Sequence, residues 1–202
     1  MGHKCFISCK KEDNGYKKHL LTIFNKIDVV DKTLDRWIDS EDGDYIMGVI
    51  RDEYLYDSTV TIFLIGEYSS EKEGYDYEGN DHQYFIRKEL QASFYNREHK
   101  KRSGVLGVVL PQIYSQVYKG QYTCSTCGAT HNHVSINDNT VIKEFSANYY
   151  IQPHTGCSWS DDDRYCVLVK WDDFLVDPER YIDLAFEKRN HPIANRTRVY
   201  IK

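Results

Sequence analysis

The chain of 202 residues lacks several features that would assign it at once to a functional class. No apolar run approaches the roughly 20 residues of a membrane-spanning helix, and the first residues carry no apolar core of a signal peptide. Neither a GxGxxG dinucleotide fingerprint nor a GxxxxGK[ST] phosphate loop is present. The net charge is −5 and no basic stripe stands out. The sequence therefore argues against membrane and nucleic-acid-binding proteins.

Cysteine is present in six copies, but no secretory signal accompanies it. This combination predicts the reducing cytoplasm, where clustered cysteines bind metal more often than they pair. A chain of this length buries enough surface to fold without disulfides. We expect one domain over residues 1–202.

Five short apolar runs alternate with segments of helical periodicity. Such alternation predicts an α/β fold with a parallel sheet and helices on both faces. The predicted strands are Lys4–Ser8, Leu34–Ile38, Thr59–Ile65, Gly104–Leu110 and Cys166–Lys170. The predicted helices are Asn14–Lys26, Tyr45–Tyr56, Asp81–Lys101 and Asp177–Lys188.

Ligands of open α/β sheets bind beyond the carboxyl ends of the strands. Several polar or small residues follow the predicted strands and should gather at that edge. They are Ser8, Cys9, Asp39, Ser40, Gly66 and the loop Glu67–Asn80.

The helix Asp81–Lys101 carries the most informative carboxylate. At about 100° per residue, Ile86, Leu90 and Phe94 share one apolar face. Glu89 is predicted at the edge of that face, one turn from Phe85, where it is well placed to line a cleft.

Residues 111–165 interrupt the alternation and are predicted to form an insertion at the sheet edge, before the last strand. The segment contains Cys124-x-x-Cys127, a spacing typical of zinc sites. A closed tetrahedral site needs two more ligands, and His131, His133, His154 and Cys157 are the candidates. The set we favour for a structural Zn²⁺ is Cys124, Cys127, His131 and Cys157. The alternative is a polar loop with free or buried thiols.

Several segments together resemble a TIR domain, closest to the TIR proteins of bacterial Thoeris antiphage systems. KCFISCKKED resembles the first-strand signature, and WIDSEDGD resembles the second strand and its loop. IMGVIRDEYLYDSTVTIFLIG resembles the helix and third strand, and FIRKEL resembles the WxxxEL motif. The similarity covers about Lys4–Leu110 and Cys166–Lys188. Phe85 stands where tryptophan is usual, Cys9 replaces a common tyrosine, and the 111–165 segment has no counterpart.

The resemblance implies a flavodoxin-like sheet with strand order 2-1-3-4-5. It also implies an NAD⁺ glycohydrolase or cyclase that cleaves the nicotinamide–ribose bond. The ADP-ribose-derived product would signal to a separate effector in antiphage defence, and self-association through the domain is expected. No nucleic-acid or membrane partner is expected.

The resemblance implies that Glu89 is the catalytic carboxylate. NAD would be bound by Ser8, Cys9, Lys10, Asp39, Ser40 and Phe85. Lys10 and Lys11 would meet the pyrophosphate, Asp39 and Ser40 the ribose or adenine, and Phe85 would wall the site. One alternative is a non-catalytic interaction module of TIR fold. Another is an N-glycosidic transfer enzyme such as a nucleoside deoxyribosyltransferase.

Overall fold

The computed structural model describes most of the chain and shows a mixed α/β fold with a mostly parallel sheet. The described residues are 2–23, 29–30, 34, 36, 38–74, 81–97 and 100–201. The predicted end of the first helix beyond residue 23, and residues 75–80 of the predicted loop, lie outside them.

Strands and helices follow one another along the chain. The strands are β1 (Cys5–Ser8), β2 (Val29–Val30), β3 (Val60–Ile65), β4 (Gly104–Val109), β5 (Tyr118–Thr123), β6 (Thr130–Val134) and β7 (Val167–Lys170). The helices are α1 (Asn14–Ile23), α2 (Gly43–Val49), α3 (Tyr84–Phe94), α4 (Tyr114–Val117), α5 (Lys143–Tyr149), α6 (Trp171–Val176) and α7 (Pro178–Glu187). A π-helical turn, Ile50–Tyr54, extends α2.

The main sheet has the order β2-β1-β3-β4-β7, and each neighbouring pair is parallel. Every residue of β3 and β4 is buried. Continuous apolar strands of this kind are typical of sheets that are covered on both faces. Apolar clusters on the two sides of β3 confirm that both faces are packed.

The predicted strand Leu34–Ile38 is wrong. Its described residues, Leu34, Arg36 and Ile38, are not in a strand, and residues 35 and 37 lie outside the description. The strand that pairs with β1 is instead β2, with Cys5 opposite Val29. Two residues are too few to show a periodic pattern, so no strand could be predicted there.

The helix predicted to run to Lys101 ends earlier, because Tyr95 is extended with φ −71° and ψ 126°. Beyond it, Arg97 and Lys100 exchange backbone hydrogen bonds of 3.0 and 3.2 Å. The buried Arg51 guanidinium donates to the carbonyls of Ala92 and Lys101, at 2.7 and 2.6 Å. Arg51 thus ties the last turn of α3 to Lys101.

The segment 111–165 falls into two differently placed parts. Strands β5 and β6 form a separate antiparallel hairpin outside the main sheet. Helix α5 instead packs into the core, where Phe145 contacts Phe63 with ring centroids 5.7 Å apart. A Cβ at Gly107 would lie 2.4 Å from the Phe145 ring, so glycine is required for this close approach.

Helix α3 has 11 residues. Within the described ranges, no helix has the length and apolar character needed to cross a membrane.

Candidate functional site

The carboxylate of Glu89 lies at the carboxyl end of β1, the edge where ligands of such sheets bind. The Ser8 hydroxyl, on the last residue of β1, donates a hydrogen bond of 2.6 Å to Oε2 of Glu89. The backbone amide of Leu34 donates to Oε1 at 3.2 Å. Ser8 of β1 and the backbone of Leu34 therefore fix both oxygens of this side chain, which α3 carries.

Glu89 was predicted at the edge of an apolar face, but the structure buries it more deeply than an edge position would. It is 2% exposed, and its neighbours Leu90, Gln91 and Ala92 are buried as well. Helix α3 buries more than one side because the α2 region packs against Ala92 and α5 against Leu90. A helical projection identifies the apolar face of a helix, but it does not show which elements pack against the other faces. The burial of Glu89 therefore cannot be predicted from it.

Burial raises the pKa of Glu89 from its ordinary value to about 7. The Ser8 hydroxyl, the Leu34 amide and the positive charge of Lys17 act in the opposite direction and favour the carboxylate. A carboxyl group with a pKa near neutrality is typical of acid–base and charge-stabilising sites in enzymes.

A cavity of about 320 Å³ opens beside Glu89. This volume is at the lower end of the range for small-molecule pockets. The residues that line it are Cys9, Lys10, Lys11, Asn14, Lys17, Leu34, His82, Phe85, Ile86 and Glu89.

Most of the predicted site residues meet at this cavity. Cys9, Lys10, Phe85 and Glu89 line it, and the Ser8 hydroxyl holds Glu89 from behind. Asp39 and Ser40, which were predicted to bind substrate, are not among the described residues that line the cavity. Asp39 is exposed, and the Ser40 hydroxyl accepts a hydrogen bond from the Asp42 amide. The structure therefore gives neither residue a place in this cavity.

Sequence reasoning missed three polar residues of the cavity wall: Asn14, Lys17 and His82. Asn14 and Lys17 are three positions apart and so share one side of α1. The sequence could have indicated these two residues, because they lie on one side of the helix that follows the first strand. His82 carried no such signal; its backbone carbonyl accepts a hydrogen bond of 2.6 Å from the Lys10 ammonium group.

The Cys9 thiol is unsuited to act as a nucleophile. Its burial raises the pKa to about 12, so the thiol stays protonated near neutral pH. Thiolates, not thiols, are the reactive species. Glu89 is thus the acidic group in the cavity with a pKa near neutrality.

The charges around the cavity are arranged with opposite signs. One carboxylate, Glu89, lies at the inner wall, and three lysines, Lys10, Lys11 and Lys17, contribute positive charge. The apolar side chains of Leu34, Phe85 and Ile86 complete the wall. A ligand that carries both a cationic ring and phosphate groups would match the two signs of charge.

A second group of chemically active side chains lies where the hairpin meets the loop between α5 and β7. Cys124, Cys127, His131 and Cys157 each offer a ligand atom, and these atoms all lie within 4.8 Å of one another. The Sγ of Cys127 is 3.1 Å from Nε2 of His131, and the Sγ of Cys157 is 3.7 Å from the same nitrogen. These four side chains could hold a metal ion.

The other two candidate ligands lie elsewhere. His154 stacks on Trp159 with ring centroids 4.0 Å apart, and its Nε2 is 3.4 Å from a carboxylate oxygen of Asp163. His133 contacts the edge of Tyr122 and is outside the group of four.

Comparisons with protein-family models and with curated proteins found no match to this chain.

Proposed function

We propose that this protein is a TIR-type NAD⁺ glycohydrolase or cyclase that cleaves the nicotinamide–ribose bond. The observation that carries the proposal is a buried carboxylate, Glu89, in a small cavity whose wall also holds Lys10, Lys11 and Lys17. NAD⁺ combines a cationic nicotinamide ring with an anionic diphosphate, so its charges match both sets of groups.

Two further features support the proposal. The segments that resemble a TIR domain supply α3, which carries Glu89, β1, whose Ser8 donates to it, and the adjacent strand β3. The parallel sheet, with β1 and β3 adjacent, fits the flavodoxin-like fold that the resemblance implies.

In the proposed reaction the C1′–N bond of NAD⁺ breaks and its electron pair leaves with neutral nicotinamide. Positive charge then develops on the ribose, and the Glu89 carboxylate stabilises it. Water attacks C1′ and loses a proton to give ADP-ribose, or a nucleophile of the same molecule attacks to give a cyclic product. Phe85 and Ile86 restrict the entry of bulk water.

The hydrogen bonds to Glu89 set its role. The Ser8 hydroxyl and the Leu34 amide can donate only to an accepting oxygen, so they favour the ionised form and fix its orientation. A cationic substrate beside the carboxylate favours ionisation further. Burial keeps the group free of competing water, which strengthens its attraction to the developing positive charge.

The wider role follows the resemblance. The nucleotide product would diffuse to a separate effector in antiphage defence, and copies of the domain would self-associate. The Cys/His group belongs to the hairpin and is not needed for this chemistry. We infer that a metal held there is structural and that Zn²⁺ is the ion.

The decisive experiment replaces Glu89 by glutamine and measures nicotinamide release from NAD⁺. Glu89→Gln keeps the size of the side chain but removes its charge, so turnover should fall on the order of 100-fold or more. The matched control is Glu12→Gln, which removes an exposed carboxylate close to the same cavity. Both variants and the wild type are also expressed in cells with and without phage challenge, and nucleotides are measured by mass spectrometry.

The two arms separate an inactive resting enzyme from a non-enzyme. Turnover in triggered cells that depends on Glu89 and not on Glu12 supports the proposal. Wild-type turnover by Glu89→Gln contradicts the catalytic role of Glu89. If neither the pure protein nor challenged cells consume NAD⁺, the non-catalytic interaction module is the better explanation.

A further inference from the structure

The four side chains Cys124, Cys127, His131 and Cys157 come from two separate parts of the chain. The first three belong to the hairpin, on and between β5 and β6. Cys157 belongs to a loop that leads from α5 to β7 and follows His131 by 26 residues. An ion bound by all four would therefore join the hairpin to this loop.

We propose that one Zn²⁺, bound by Cys124, Cys127, His131 and Cys157, clamps the hairpin onto the 152–160 loop and thereby forms the wall of a large cleft. Three thiolates and one imidazole are a typical ligand set for a structural zinc site. With four protein ligands, no position is left for water or substrate, which separates this site from a catalytic zinc.

The distances fit a single ion. With Zn–S near 2.3 Å, the ligand atoms of a tetrahedral site lie about 3.8 Å apart. The ligand atoms here are within 4.8 Å of one another, and two of the separations are 3.1 and 3.7 Å. Binding thus requires side-chain shifts on the order of an ångström and no movement of the fold.

The turn between β5 and β6 is shaped to present the two cysteines together. The amide of Cys124 donates to the Ala129 carbonyl at 2.8 Å, and the amide of Gly128 donates to the Cys124 carbonyl at 2.9 Å. Gly128 has a φ of +72°, a conformation that other residues adopt only with strain. A closed turn of this kind lets two thiolates reach one ion.

The hairpin is anchored at its base, where Tyr118 and Val134 pack against the core and the Val134 carbonyl accepts a hydrogen bond of 2.6 Å from the Tyr150 hydroxyl. Beyond the base, residues 119–123 of β5 are exposed, and among the described strands the hairpin pairs with none of the main sheet. A two-stranded hairpin alone is marginally stable in water. A bound ion supplies the missing stabilisation, because metal binding adds directly to the free energy of folding.

A cleft of about 870 Å³ separates the hairpin from the body of the protein. Two of the proposed ligands, His131 and Cys157, lie in its wall beside the rings of Tyr122, Tyr150 and Trp159. The ion would thus hold opposite sides of the cleft at a fixed distance. Loss of the ion should let the hairpin move and alter the surroundings of Trp159.

The first test measures metal in protein that is purified without chelator. We expect about one equivalent of zinc per chain, and Co²⁺ in its place should show the charge-transfer and ligand-field bands of a tetrahedral thiolate site. Cys157→Ser and His131→Asn should each lower the zinc affinity by more than about 100-fold, since even partners outside the ligand shell account for 10–100-fold. The matched controls, Ser158→Ala and His133→Asn, should keep wild-type stoichiometry.

The second test follows the clamp itself by hydrogen exchange. Removal of zinc from the wild type should speed exchange in β5, β6 and the 152–160 loop at least ten-fold and leave β3 and β4 unchanged. Less than a tenth of an equivalent of metal in the wild type, or a disulfide between Cys124 and Cys127, would overturn the zinc site. A Cys157→Ser protein with wild-type affinity, or unchanged exchange after zinc removal, would overturn the clamp.

Discussion

The cavity around Glu89 and the Cys/His group on the hairpin differ in how they are built. Glu89 is buried and held by Ser8 and Leu34, which are 81 and 55 residues away in sequence. Cys124, Cys127 and His131 lie within one hairpin, and Cys127 and Cys157 are exposed. The first arrangement exists only in the folded core, whereas most of the second is set by one turn. The two regions should therefore respond differently to the same perturbation.

The largest expected effect concerns Arg87, which ties α3, the helix that carries Glu89, to α5. Its guanidinium pairs with Glu71 at 3.1 Å before α3, and with Glu144 of α5 at 3.3 Å. Glu144 is fully buried. Arg87→Met leaves that carboxylate without its cation, so we expect a loss of about 3–5 kcal/mol in the free energy of unfolding, measured by urea denaturation.

The control for Arg87 is Arg97, whose pair with Asp52 is 3.2 Å long but exposed on both sides. Arg97→Met should change stability by less than about 1 kcal/mol. Equal losses in the two variants would show that burial does not govern these ion pairs. If Arg87→Met also released zinc, the hairpin would depend on the core, and the contrast between the two regions would fail.

The next effect is the pH dependence of stability that Glu89 causes. Its pKa is raised from 4.5 to about 7 on folding, so the folded state holds the proton more tightly than the unfolded state. Stability should therefore fall by about 3 kcal/mol as the pH rises from 4.5 to 7, and Glu89 should add no further slope above that range. Urea denaturation at several pH values measures this slope.

Glu89→Gln isolates the contribution of this group. Asp13, whose burial raises its pKa to about 6, adds a slope of the same sign and is retained in the variant. The difference between wild type and variant is thus the share of Glu89. Parallel stability curves for the two proteins would mean that the carboxyl group is better solvated than the structure shows.

The sequence predicted β3, β4 and the edge strand β7 closely, but it misplaced the other edge strand, β2, for physical reasons. β3 and β4 are continuous apolar runs, because both of their faces are buried. β2 is two residues long and carries no pattern, so the second strand was misplaced. The end of α3 was missed because it depends on Arg51, a residue that is distant in sequence.

The site was predictable to a similar extent. Glu89 lies on the helix that follows a predicted buried strand and a polar loop, and this placed it near the carboxyl end of the sheet, where the cavity is found. The CxxC spacing placed Cys124 and Cys127 together. The burial of Glu89 could not be predicted, because it depends on Ser8, on Leu34 and on helices that pack from other parts of the chain. The favoured set, Cys124, Cys127, His131 and Cys157, is the one that the structure brings together, although the sequence left His133 and His154 open as alternative ligands.

The smallest expected effect is that of zinc removal on NAD⁺ turnover, and it is the direct test of independence between the two regions. None of the described residues that line the Glu89 cavity belongs to the hairpin or to the 152–160 loop. Chelation should therefore open the hairpin while turnover by activated wild type changes less than about two-fold, since distant sites without shared partners act nearly additively. Nicotinamide release is measured before chelation, after it and after zinc is restored, with Glu89→Gln as the inactive reference. A reversible loss of ten-fold or more on chelation would show that the hairpin acts on the cavity, through α5 and its ion pair with Arg87 on α3.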